Sequence, residues 1–194
     1  MSFRVDHDYH IHSQLSACSN DPEQSTQAIL QYALDNNLST LVLTDHYWDN
    51  TVPGASNWYK PQDFAWISQS KPLPQHENCR FLFGCETDMD RFGVIGVPES
   101  RFDDFAFIII PTTHFHMKGY TTFEDETATP EGKANTWVKR LDAVLDMELP
   151  FHKVGIAHLA CTLIAPTREE YLEVLRSRIP ETLRLLKKHA GIEL

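Results

Sequence analysis

The chain has 194 residues, 42% of them hydrophobic and 23% charged, which suits one globular domain with a sizeable core and excludes a disordered chain. Seventeen Lys and Arg stand against 27 Asp and Glu, a formal charge of −10 that disfavours nucleic-acid backbones and anionic membranes as partners. It does not disfavour a small anionic substrate, because bound metal ions reverse the sign locally.

No apolar run approaches the roughly 18 residues that a membrane span needs. The four cysteines, Cys18, Cys79, Cys85 and Cys161, have no C-x-x-C spacing, and no signal peptide precedes them. Reduced thiols in a cytoplasmic protein are the expectation. Ten histidines is the most unusual number in the composition.

Residues 3–12 read as a strand, with Phe3, Val5, Tyr9 and Ile11 spaced among polar residues. Residues two apart on a strand share a face, so His10 and His12 present two imidazoles side by side, a geometry suited to one divalent ion. Asp21-Pro22 reads as N-cap and first turn of a helix over 22–36. A buried strand over 40–44 delivers Asp45 and His46, and strand–helix–strand of this length predicts parallel pairing.

Residues 47–62 form a long loop rich in aromatics, read as a lid or pocket wall, followed by a short helix within 61–70. Arg80 to Glu86 reads as a strand, Phe92 to Val97 as a short one, and Phe105 to Ile110 as a buried one ending at Thr112-Thr113-His114. A helix is expected over 132–147, then a strand from Val154 to Ala157 leading into His158. A helix from Thr167 or Arg168 to about 178 is expected to stop before Pro180, where another begins. Gly191 to Leu194 reads as the start of a further strand.

Metal-competent side chains therefore recur just past the ends of five separate strands: His10 and His12, Asp45 and His46, Glu86, His114, and His158. Parallel β/α barrels assemble their sites at that face. A His/Asp/Glu set without Cys pairs suits a catalytic cluster of zinc, iron or manganese better than a structural zinc site. His7, His76, His152 and His189 read as surface or packing residues, and His116 competes with His114 as the ligand.

The ordered set HIH, TDH, GCE, TTH and AHL resembles the polymerase and histidinol phosphatase (PHP) family of metal-dependent phosphoesterases, from about residue 6 to the end. The resemblance implies a distorted (β/α)7 TIM-like barrel, incomplete at its C-terminal end, as a single domain over 1–194. It implies two or three divalent ions. His10, His12 and Glu86 would hold the first. Glu86, His114 and His158 would hold the second, and His46 a third, with Cys18 or Asp21 as a further ligand. Asp45 would ligate or orient a ligand. Arg91 or Arg168 would add positive charge beside the phosphate.

The late Asp-x-His of the family does not follow His158, so the resemblance makes a piece of a longer protein the expectation, ahead of a natural variant that ends here, and with it a homo-oligomer covering the open edge. The implied activity is hydrolysis of a small phosphomonoester by metal-activated water, with Glu86 and Asp45 at its centre. The rival readings are a non-catalytic regulatory PHP domain, a histidinol-phosphate phosphatase or nucleic-acid phosphodiesterase, and a metal-dependent amidohydrolase, whose Lys or extra Asp is not found in order here.

Overall fold

The computed structural model describes residues 5–19, 21–161 and 163–190. Two compact units emerge. The first contains the chain up to Thr87 together with Ile95–Ile110 and Pro150–Gly155, and the second contains Asp88–Val94, Pro111–Leu149 and the chain from Ile156 onward. No helix among the described residues is long and apolar enough to cross a membrane.

The strands are β1 (His7–Ile11), β2 (Thr40–Leu43), β3 (Arg80–Phe83), β4 (Cys85–Glu86), β5 (Ile108–Pro111) and β6 (Val154–Ala157). The α-helices are α1 (Thr26–Asp35), α2 (Phe64–Ile67), α3 (Pro130–Leu145) and α4 (Arg168–His189). The strands make two three-stranded sheets, ordered β1-β2-β3 and β4-β5-β6, with parallel pairing of β1 to β2, β2 to β3 and β4 to β5.

This corrects the barrel expectation. Among the described residues there are six strands in two separate sheets, and no closed (β/α)7 barrel. The ladder breaks where Arg80–Glu86 was expected to run as one strand. β3 lies along β2 up to Phe83, and after Gly84 the chain pairs with β5 instead. Gly84 donates its N–H to Leu43 O at 2.7 Å, while Cys85 donates to Phe107 O at 3.1 Å. A Cβ on Gly84 would stand 2.5 Å from Phe107 O and 2.7 Å from Val42 Cγ1. Gly84→Ala is therefore expected to destabilise by about 3 kcal/mol, the upper end for overpacking. It would read as a lower urea midpoint at unchanged slope, and an unchanged midpoint would reject the crowding.

Helix α1 packs the first sheet because Ile29, Leu30 and Ala33 form one stripe, set against Leu41 and Leu43, which alternate onto the same sheet face, and against Phe81 and Cys79. The helix begins at Ser25, whose hydroxyl accepts from Ala28 N, not at Asp21 as expected. Asp21 instead closes a turn, accepting from Glu23 N at its side chain and from Gln24 N at its carbonyl. An aromatic group of Tyr47, Phe64, Phe83 and Phe105 fills a further part of this unit.

In the second unit, α3 and α4 pack around Phe115, Ala134, Trp137, Leu163 and Val174. The expected break at Pro180 does not occur; α4 is continuous. Proline removes one backbone donor in mid-helix, but Val174 and Thr182, on either side of it, are both buried and hold the helix in register. Phe92–Val97, expected as a strand, contains a turn instead. The Asp90 carboxylate accepts from Phe92 N and Val94 N, both at 2.8 Å, which curls the backbone away from a ladder. Gly191–Leu194 lies outside the described residues.

Candidate metal centre

The first unit brings the ends of β1, β2 and β4 together by backbone bonds. Thr44 N donates to Ile11 O at 2.7 Å, Glu86 N to Asp45 O at 3.1 Å, and Tyr47 N to Glu86 O at 2.8 Å. The register of β1 on β2 shifts between Asp8 and Ile11, where β1 carries one more residue than its partner. Such a bulge re-aims side chains, and here His10 and His12 converge, with ring centroids 5.1 Å apart.

Glu86 is fully buried, and its Oε2 is the focus. His10 Nε2 lies 3.0 Å from it, His12 Nε2 2.9 Å and His46 Nδ1 3.5 Å. The two Nε2 atoms are 3.2 Å from each other. Burial by itself raises the Glu86 carboxyl, but hydrogen bonds from His10 and His12 and the charge of His46 outweigh it and hold the group well below the ordinary carboxylate range.

Zinc–nitrogen bonds of about 2.0–2.1 Å at tetrahedral angles put ligand atoms about 3.3 Å apart. The His10–His12–Glu86 spacings match that, and imidazole and carboxylate donors of this kind fit zinc, iron or manganese. The ligand atoms of His12, Cys18 and His46 form a second group within 4.8 Å of one another. The Cys18 thiol is pushed up, by partial burial first and by the charge of Glu86 second.

The imidazoles are oriented from behind. Asp45, 1% exposed, accepts from Ser13 N at 2.6 Å and from Ser16 Oγ at 2.9 Å on one oxygen, and from Ser13 Oγ at 2.7 Å on the other. The single Ser16 hydroxyl proton goes to that carboxylate. Ser16 Oγ then accepts from His46 N at 3.0 Å and from His12 Nδ1–H at 3.1 Å. Ser16 thus holds the His12 ring from its Nδ1 side and leaves Nε2 directed at Glu86. Asp45 thus acts on the site through Ser13 and Ser16.

The second unit holds its own imidazole group. Thr112-Thr113 follow β5 and carry His114, whose Nδ1 lies 3.1 Å from Asp88 Oδ2. Asp88 is fully buried. The same logic fixes the His114 proton on Nδ1 and leaves Nε2 as a lone-pair donor. His158 stands beside it, ring centroids 5.0 Å apart, at a φ of 51° that few non-glycine residues adopt. Its carbonyl accepts from Thr113 Oγ1. His116 is exposed, 5.1 Å from the His114 ring, and partial desolvation of its imidazole lowers its pKa, with the neighbouring His114 adding to that.

No protein-family model and no curated protein matches this chain.

Of the sequence-predicted residues, His10, His12, His46, Glu86, Asp45 and Cys18 meet in the first unit, and His114 and His158 meet in the second. Asp21 is not among these groups; it borders a groove of about 350 Å3 with Asp8, Glu23 and the apolar face of α1. Arg91 donates to Gly119 O and lies over the Phe92 and Phe123 rings, and Arg168 is the exposed first residue of α4. His7 pairs with Asp6, and His76 accepts from Asn78 N.

Sequence reading missed Ser13, Ser16 and Asp88. The i+2 spacing of Asp88 from Glu86 was a signal for the last, whereas nothing marks two serines in a polar loop. It also missed Arg140, which is 5% exposed and clamps the second unit.

Proposed function

We propose that this protein is a metal-dependent phosphoesterase acting on a small phosphomonoester. The observation that carries the reading is the convergence of three imidazole nitrogens on one buried Glu86 oxygen at ligand-like spacings. The ordered resemblance to the PHP family supports it, and so does the His114–His158 pair with Asp88 behind it.

His10, His12 and Glu86 would hold one ion, His46 and Cys18 are placed to add a further ligand, and His114 and His158 would serve another. Bound divalent ions neutralise phosphate oxygens and bring the pKa of water toward 7. The chain itself contributes orientation. Ser16, anchored by Asp45, holds the His12 ring and Asp88 holds the His114 ring, so the imidazoles are aligned before any ligand arrives. The half-buried Trp58 and buried Tyr59 beside His46 keep bulk water off one side.

The test is metal analysis with hydrolysis of p-nitrophenyl phosphate, before and after chelation. Purified protein is expected to carry zinc, iron or manganese. Chelation is expected to lower turnover by at least about 100-fold, with restoration by one of those ions. Protein that binds no metal and cleaves no phosphomonoester would overturn the proposal. Protein that binds metal yet cleaves no monoester or diester would favour a non-catalytic metal-binding module.

A further inference from the structure

The loop from Tyr47 to Gln62 carries four aromatic residues, and three of them are core. Tyr47, Trp48 and Tyr59 are 0%, 1% and 0% exposed. Trp58 is the exception, only half-buried. Its indole stands edge-to-face with His46, centroids 4.7 Å apart, and at 89° to Tyr59, 4.8 Å away. His46 is in turn stacked on His12 at 4.5 Å and 20°. The rings of His12, His46 and Trp58 therefore form a row running outward from Glu86 to solvent.

The backbone at Trp58 is held firmly. Gln62, 1% exposed, donates from Nε2 to Trp58 O at 3.0 Å and accepts from Ala17 N at 2.9 Å, while its carbonyl accepts from Trp48 N at 3.0 Å. The loop is thus tied to the Ser13–Cys18 segment that orients the ligand imidazoles. A core role does not require a wide, half-exposed ring at this point, and the loop's packing is already supplied by its three neighbours. A ring beside a ligand imidazole presents π surface to whatever group hangs from a bound phosphate.

We propose that Trp58 selects the organic part of the substrate, favouring phosphomonoesters with a planar unsaturated ring one or two bonds from the ester oxygen. This deepens the phosphoesterase reading and rests on it. The acidic balance of the chain adds no preference for a second anionic group on that ring.

The test compares benzyl phosphate with cyclohexylmethyl phosphate, esters of similar primary alcohols whose six-membered rings differ in planarity. In metal-loaded protein, Trp58→Ala is expected to lower the benzyl-to-cyclohexylmethyl ratio of kcat/KM by about tenfold, and Trp58→Phe to keep it within about threefold. Independently of turnover, 4-nitrobenzylphosphonate is expected to quench tryptophan emission in Trp66→Phe, which keeps the Trp58 reporter, and not in Trp58→Phe. A ratio unchanged in Trp58→Ala, or quenching that persists in Trp58→Phe, would overturn the inference. If the unmodified protein cleaves neither ester, the phosphoesterase reading is what fails, and the quenching pair still decides whether Trp58 contacts the ring. The same pair decides if Trp58→Ala does not fold.

Discussion

Glu86→Gln is expected to abolish metal binding at the His10–His12–Glu86 group and to lower phosphomonoester turnover by at least about 100-fold. The carboxylate is fully buried and takes three imidazole nitrogens on one oxygen, so no other residue of that group supplies a negative charge at the same point. An amide keeps the shape but loses the charge that pairs with a divalent ion, and its NH2 group faces imidazoles as a competing donor. The measurement that separates loss of metal from loss of fold is the melting midpoint. A ligand at 100 times its Kd stabilises by about 2.7 kcal/mol, so the midpoint of the unmodified protein should rise when zinc or manganese is added. That of Glu86→Gln should rise less, by the share that the His10–His12–Glu86 ion supplies. A variant that binds as many ions as the unmodified protein, with the same rise in midpoint, would remove Glu86 from the centre.

Arg140→Met is expected to cost about 3–5 kcal/mol, a larger loss of stability than crowding at Gly84 produces. The Arg140 guanidinium donates to Thr112 O at 3.0 Å, Met89 O at 2.6 Å, Asp90 O at 3.4 Å and Thr121 O. Those carbonyls belong to the segments that carry Asp88 and His114. Removing the fork takes that donor from the Thr112, Met89 and Thr121 carbonyls, while Asp90 O keeps the Gly93 N–H at 3.2 Å, and each buried group left unpaired costs about 1–3 kcal/mol. Arg140→Lys should recover little, because a single ammonium cannot reach four acceptors spread over a planar fork. Burial pulls the guanidinium below its usual pKa, with Asp88, Glu126 and Asp90 opposing, and arginine is effectively always protonated near neutral pH. The loss should therefore be the same from pH 6 to pH 8 in urea denaturation. A loss confined to one end of that range would point to a titrating partner instead.

Where the sequence was legible, the reason was local. Leu41, Leu43, Ile29, Leu30 and Ala33 carry their periods in the chain, and β2, β6 and the body of α1 fall where those periods put them. The recurrence of His, Asp and Glu past the ends of successive strands was legible only as a joint pattern, because each such residue alone is more often a satisfied polar side chain. The misses have physical causes of another kind. Gly84 reads as one more residue of a strand until Phe107 and Val42 are seen to crowd it. Pro180 reads as a helix stop, since what the buried Val174 and Thr182 on either side of it pack against is not written in the α4 segment itself. Ser13 and Ser16 read as loop, because a hydroxyl's value depends on the carboxylate it meets, and Asp45 is about thirty residues away.

From the residues alone came the donor types, their order along the chain, and the strands and helices that a hydrophobic period can announce. Only the folded chain decided that two sheets form in place of one closed ring, that a bulge in β1 turns His10 and His12 toward Glu86, and that Asp45 and Asp88 stand behind imidazoles. The division follows from range. Periodicity is set by neighbours a few residues apart, whereas which carboxylate a given imidazole or serine meets is set by packing between segments that the chain itself keeps far apart.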